Sequence, residues 1–358
     1  MAEIDLYKGF AKKVDRNNSI GLVRYILALG VLIAHFNTLC GADLPWIVSS
    51  YDSVCGFFTI SGFLLVYPIL RGKSIKDFLI NRMWRLLPSY IFVVIFFAVA
   101  LFFVSTLSFK EYFLSWGFYK YLIYNITSLN FVCPTLPGVF ESLTIPAVNG
   151  SLWTIKIEWQ LSISIPIIIY LIAKCRLNFR WSISCILMLS LSYRVYFDYL
   201  YDITGNELYL ILGRQFIGQM LFFYCGIFIY TYYDKLTKNL LLCLILSIFA
   251  FIVIKMIPEN SISQQFLYPF ILSFFVIMLS CIPYDLAKLV DGGHNISYEI
   301  YLIHFPIFQL LAHFKIIDTL GTIPAFILAL LLIILLSIVT YCIVGHLYLT
   351  RKMKRQIN

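Results

Sequence analysis

Charge is scarce in this chain. Only 13% of its 358 residues are Asp, Glu, Lys or Arg, while 61% are hydrophobic. A soluble domain this apolar could not cover its surface, so a water-soluble globule is excluded. The nine cysteines include no Cys-x-x-Cys pair and no His-rich spacing. Neither a zinc site nor a disulfide framework is therefore indicated. Cys40, Cys55 and Cys133 fall near one face of the expected membrane domain, but nothing in the sequence pairs them. There is no G-x-x-x-x-G-K-[ST] loop, which argues against ATP hydrolysis, and no G-x-S-x-G elbow. The first residues, MAEIDLYKGFAKKVDRNN, lack the apolar core and small-residue cleavage site of a secretory signal, so the first apolar helix is expected to be retained.

What the chain does have is recurrent apolar segments. Ten spans are expected, near 20–39, 52–70, 86–107, 151–173, 181–200, 209–231, 239–257, 265–283, 295–313 and 322–349. The span at 181–200 is the weakest, because Arg194 and Asp198 interrupt it. The net charge of +9 could suggest nucleic acid, but the cations sit in short loops between apolar spans. With the N-terminus inside, nineteen of the twenty-seven Lys and Arg fall in cytoplasmic segments. The expected fold is thus all-α: a polytopic membrane protein with about ten transmembrane helices and both termini cytoplasmic. A cytoplasmic segment at 1–18 precedes a membrane domain at 19–350, and a basic tail at 351–358 follows it.

Polar groups inside such spans are informative because they are costly there. Arg24 and His35 are eleven residues apart. On a helix that is about three turns, so they share a face and lie about 16 Å apart along the axis. This places a fixed cation near one membrane surface and an imidazole deeper on the same wall. A snorkelling anchor and a packing histidine would give the same pattern. Arg82 and Arg85 are three apart and point the same way on a helical turn. Their planar donors suit phosphate, and positive-inside anchoring is the alternative. Pro88 is expected in the first turn of the third span. Ser61 and Gly62 in FFTISGFLL are small enough for close helix approach.

Glu158, two turns into the fourth span, needs a partner on another helix, because Lys156 is too close in sequence to share its face. His304 lies near the middle of the ninth span. Glu299, five residues earlier, does not share its face well, and Pro306 is expected to free a backbone carbonyl beside it. The outer segment 108–150 is rich in aromatics, including Trp116, Tyr119 and Phe131, which suit either an interfacial belt or stacking on sugar rings. Arg194, Asp198, Asp202, Glu207 and Arg214 cluster around an outer turn, as an acceptor entrance or a solvated rim.

Taken in order, these segments resemble the acyltransferase-3 family of integral-membrane acyltransferases. The Arg24-x10-His35 spacing, FFTISGFLL, RMWRLLPSY, SLWTIKIEW and SYEIYLIHFP each match a family motif, and together they run across nearly the whole chain. Cys55, Asn81 and the Leu161–Ser162 pair depart from common family residues. The sequence after the last span is short and basic, which resembles members without a C-terminal hydrolase-like domain.

The resemblance implies transfer of an acyl group, usually acetyl from acetyl-CoA, to a hydroxyl of an envelope carbohydrate such as O-antigen, capsule or exopolysaccharide. It implies a bacterial cytoplasmic (inner) membrane, membrane lipids as surroundings, an acceptor that is lipid-linked or free, no metal and no nucleic acid. Whether the protein is a dimer is left open. On this reading Arg24, Arg82 and Arg85 hold the CoA phosphates, with Ser61 alongside. His35 is the acyl acceptor or the general base, and Glu158 and His304 orient the acceptor or an imidazole. Two other readings stand beside it: a glycan or lipid-linked sugar transporter, and transfer of succinyl or a longer acyl chain on the same fold.

Overall fold

The computed structural model describes residues 2–46, 48–258, 262–284, 286, 288 and 294–345. Among them the chain is all helical, with no strand. A 3-10 segment at Ala2–Phe10 precedes α1 (Ile20–Cys40), α2 (Ser50–Leu70) and α3 (Ile75–Ala100). Two short helices, α4 (Phe109–Phe113) and α5 (Trp116–Ile126), lie in the aromatic segment. Then follow α6 (Trp153–Lys174), α7 (Phe179–Thr204), α8 (Glu207–Gly213), α9 (Phe216–Tyr230), α10 (Tyr233–Lys238), α11 (Leu240–Met256) and α12 (Ile262–Ser280). The chain continues through α13 (Ser297–His313), α14 (Ile316–Leu320) and α15 (Thr322–Thr340). The basic tail at 351–358 lies outside the described residues.

Helix covers most of each expected span, but 209–231 is divided between α8 and α9, helix stops at Val104 within 86–107, and 346–349 of the last span lie outside the described residues. Six helical stretches among the described residues are long and apolar enough to cross a membrane: Ile20–Cys40, Ser50–Leu70, Ile75–Val104, Gly150–Lys174, Glu207–Tyr230 and Thr322–Gly345. Two more, Leu240–Met256 and Gln264–Ser280, are apolar but shorter. Helix α7 is long but carries Arg180, Arg194, Asp198 and Asp202. Helix α13 has 17 residues.

Local sequence accounts for the helix limits. Helix α3 begins eleven residues before the expected span, and Pro88 sits inside it rather than in its first turn. The start is set at Ser74, whose hydroxyl accepts from the Asp77 amide at 3.0 Å and bonds the Asp77 carboxylate at 2.7 Å. That cap satisfies donors which would otherwise be orphaned. The amphipathic turn carrying Arg82 and Arg85 is thereby fused to the apolar span. Helix α4 begins with a capping box. Ser108 and Glu111 exchange side-chain-to-backbone bonds, and those from Ser108 hold the Glu111 carboxyl below the usual range. Asn178 caps α7, which ends at Gly205 with φ of +65°.

The chain divides into two compact units. The first comprises residues 1–27, 51–79 and 157–293; the second comprises 28–50, 80–156 and 294–358. Helices α1, α3 and α6 contribute residues to both.

In the first unit, α2 runs against α9 with almost no space between them. A Cβ on Gly62 would lie 1.9 Å from the Phe223 carbonyl oxygen, and one on Gly226 would lie 2.1 Å from that of Thr59. The small residues of FFTISGFLL thus permit the close approach expected of them. Helix α7 also packs on α9, and α11 on α12. Asp52, near the start of α2, is paired with Lys255 at 2.9 Å. In the second unit α13 packs against α15, and 13 of its 17 residues are buried.

Candidate functional site

Two of the singled-out residues meet directly in the second unit. His35 Nδ1 and His304 Nε2 are 2.8 Å apart, with ring planes 7° from parallel. His304 has no solvent exposure, whereas His35 is half-buried. The edge of Phe305 packs on the His35 ring, and Phe308 and Tyr301 flank His304.

A proline and an asparagine explain why α13 presents His304 there. Pro306 has no N–H to offer the Leu302 carbonyl four residues earlier. That carbonyl instead accepts from Asn149 Nδ2 at 2.8 Å. Asn149 Oδ1 in turn accepts from the Ser151 hydroxyl at 2.7 Å and the Ser151 amide at 3.2 Å. The Thr154 hydroxyl meets the Tyr301 hydroxyl at 2.9 Å, and Tyr301 donates to the Ser151 carbonyl at 3.2 Å. Gly150 is needed at this junction, because a Cβ would lie 2.8 Å from the Phe305 ring. The segment NGSLWT is therefore the brace that fixes the helix carrying His304. The freed carbonyl was predictable from Pro306; its partner Asn149 was not, being 153 residues away in sequence.

Glu299 occupies a second polar cluster on α13. It is fully buried, and its Oε1 accepts from the Ser89 hydroxyl at 2.9 Å. Its Oε2 has no hydrogen-bond partner among the described residues. Arg85 is the cation in electrostatic contact with it. The Arg85 guanidinium also lies 6.0 Å from the Tyr298 ring centroid, and the Tyr298 hydroxyl donates to the Leu86 carbonyl at 3.0 Å. Arg85 thus has a carboxylate and an aromatic face to hold it, while Arg82, one turn earlier, is half-buried. The failure of Glu299 and His304 to share a face holds: one meets α3, the other α1. Sequence reasoning noticed Glu299 but gave it no role. The signal was its place one residue after Tyr298 in SYEIYLIHFP.

In the first unit Ser61 and Glu158 form a pair, with Ser61 Oγ donating to Glu158 Oε1 at 3.0 Å. Glu158 does find a partner on another helix. Arg24 is half-buried on α1. Two of the charged residues around 194–214 share one aromatic ring in this unit: Arg194 stacks on Tyr51 and Phe222, and Arg214 stacks on Tyr51. Among the described residues no cluster of His, Cys, Asp and Glu could hold a metal ion. All nine cysteines are free.

Several apolar helices with an imidazole pair braced among them define a class: a multi-pass membrane protein with polar side chains paired in its interior. Comparison with known proteins narrows it. The family model for the acyltransferase domain of acyltransferase-3 proteins matches residues 17–342, and the chain belongs to that family. An O-acetyl transferase of Shigella phage Sf6 is 26% identical over 161 residues, covering 41% of this chain and 44% of that protein. The chain therefore spans less than half the length of this curated relative. No solved structure matches.

Proposed function

We propose that the protein is an O-acyltransferase that moves acetyl from acetyl-CoA to a hydroxyl of a cell-envelope carbohydrate, from within a bacterial cytoplasmic membrane. On this reading the chain crosses the membrane about ten times between a cytoplasmic segment at 1–18 and a cytoplasmic basic tail at 351–358. Family membership and the relative named as an O-acetyl transferase support the reaction class. The observation that carries the reading is the His35–His304 pair.

The chemistry follows from which nitrogen holds which proton. His304 Nδ1 has no hydrogen-bond partner among the described residues. A proton on that nitrogen leaves His304 Nε2 as an acceptor. His35 Nδ1–H then donates to it, and His35 Nε2 keeps a lone pair. In direct transfer, Nε2 takes the acceptor hydroxyl's proton as that oxygen attacks the thioester carbonyl, and the CoA thiolate leaves and is reprotonated by the imidazolium. In the two-step route, Nε2 attacks first. CoA departs as the thiolate, leaving an acyl-imidazolium; the acceptor hydroxyl then attacks its acyl carbon, the N–C bond breaks to restore Nε2, and the hydroxyl's proton passes to the thiolate. In both routes the positive charge on His35 is steadied by the His304 lone pair 2.8 Å away. Arg24, Arg82 and Arg85 attract the donor phosphates, and Glu299 steadies Arg85. Ser61 and Glu158 provide a hydrogen-bonded hydroxyl and carboxylate for a donor or acceptor hydroxyl.

The test is acetyl transfer by purified protein. His35→Asn retains polarity but supplies no useful base, and transfer should fall by at least about a hundredfold with acetyl-CoA binding retained. Combined Arg82→Ala and Arg85→Ala should weaken acetyl-CoA binding by about tenfold and flatten its salt dependence. Near-normal acetylation by His35→Asn would overturn the assignment.

A further inference from the structure

The second unit also holds a cavity of about 330 Å³ in the outer segment, lined by Gly117, Cys133, Thr135, Pro137, Glu141 and Pro146 with Leu136 and Val139. This volume lies at the small end of the range for small-molecule sites, about 300–1,000 Å³. Its walls are fixed by side chains and backbone together. Asn125 Nδ2 holds the Cys133 carbonyl at 2.9 Å, the Val148 amide holds that of Pro134 at 2.9 Å, and the Thr106 amide holds that of Gly138 at 3.0 Å. Gly138 adopts φ of +67°, and a Cβ there would strike Ser105, so this turn has one conformation available. The far wall is tied to the catalytic helix: Gln309 on α13 donates to the Ile145 carbonyl at 2.5 Å and to the Ala147 carbonyl at 2.7 Å. Two residues later, Asn149 grips α13 beside His304. The cavity and the histidine pair therefore belong to one braced body.

The lining has the chemistry of a sugar site. Glu141 Oε1 accepts from the Gly138 amide at 3.0 Å, which orients the carboxylate and leaves its second oxygen for a ligand. Thr135 adds a hydroxyl, while Pro137, Pro146, Leu136 and Val139 form apolar patches. A carboxylate and a hydroxyl set among proline and aliphatic carbons match a molecule with hydroxyls on its rim and C–H groups on its faces. No lining residue is a cation, which disfavours phosphate or carboxylate ligands. Trp116, next to Gly117 at the start of α5, is 64% exposed and offers an indole for stacking. We propose that this cavity binds a neutral sugar ring of the acceptor glycan and so positions the hydroxyl to be acylated. The proposal rests on the O-acyltransferase reading and adds the acceptor subsite to it.

Cys133 makes the test direct, because it is partly exposed and lines the cavity. Full-length protein in detergent micelles is alkylated with N-ethylmaleimide, and the rate at each cysteine is read by peptide mass spectrometry. The exposed Cys175 and Cys185 serve as internal references. The probe is de-O-acetylated oligosaccharide cut from the envelope polysaccharide of the source cells, and acetyl transfer to it is measured in parallel. The probe should slow alkylation of Cys133 by about fivefold at saturation, with the reference cysteines unchanged. Glu141→Gln keeps an oxygen for the Gly138 amide but loses the charge, and should weaken the protection by about tenfold with acetyl-CoA binding unchanged. Transfer to the probe with Cys133 still alkylated at its free rate would sink the subsite and leave the enzyme assignment standing. Protection of Cys133 without transfer would keep the sugar site and sink the enzyme assignment. Absence of both would overturn both.

Discussion

Helices α13 and α15 pack against each other in the second unit and are opposites in composition. Helix α13 carries Glu299, His304 and Gln309 and is buried along most of its length. Helix α15 reads TIPAFILALLLIILLSIVT, with no charged residue, and only 22% of its apolar stretch is buried. In a soluble protein the ranking would be reversed. Here the more apolar helix turns outward, where a bilayer satisfies it, and the helix with polar groups turns inward to find partners. In this pair of helices the polar residues mark the interior side: on α13 Glu299 meets Ser89, His304 meets His35, and Gln309 meets the Ile145 and Ala147 carbonyls.

The sharpest way to break that comparison is at the histidine pair. His304→Asn removes the acceptor for His35 Nδ1 while keeping a polar side chain in a fully buried position. Transfer should fall by about ten- to a hundredfold, less than for His35→Asn, because His304 acts through His35. The double variant should be little worse than His35→Asn alone, since groups acting as a unit are not additive. Multiplying effects in a double-mutant assay of acetyl transfer would mean that the two rings work separately.

A smaller effect is expected at Glu299. Glu299→Ala leaves the buried Ser89 hydroxyl without its acceptor and Arg85 without its carboxylate. Stability should drop by about 1–3 kcal/mol in a detergent unfolding titration, and acetyl-CoA affinity should fall with it. Glu299→Gln restores the acceptor for Ser89 but not the charge beside Arg85. It should recover most of the stability and little of the donor affinity. A glutamine variant with full donor affinity would show that Glu299 serves the fold alone.

These residues also show where sequence reasoning stops. The all-helical fold and the placement of helix at each apolar segment were readable, because a bilayer demands long apolar helices with internally satisfied backbones. His35 and His304 could be singled out because imidazoles are rare in such helices, and the family motifs added to that. Their 2.8 Å approach could not be derived, since it depends on how residues 269 apart in sequence are brought together. The same holds for Asn149, which occupies the carbonyl freed by Pro306. The early start of α3 does not show in apolarity, because the mixed polar run at 75–85 does not extend the apolar span, although Arg82 and Arg85 suit one helical turn. The Ser74 cap that makes them helical is a local signal, and it stands in plain view in KSIKD.

The mildest effect sharpens the opening comparison through one substitution made twice. Leu302 on α13 has no exposure, whereas Leu331 on α15 is 62% exposed, and both belong to the second unit. Leu302→Ala leaves a cavity that the braced surroundings cannot close, so it should destabilise by about 2–5 kcal/mol. Leu331→Ala removes atoms that touch lipid in both the folded and the membrane-inserted unfolded state. Its transfer term nearly cancels, and the change should stay within about 0.5 kcal/mol. Acetyl transfer should be unaffected. Unfolding titrations of both variants in the same bicelles measure the difference directly. Equal destabilisation at the two positions would mean that the outer face of α15 is covered in the membrane by protein, and that composition alone does not mark the lipid side.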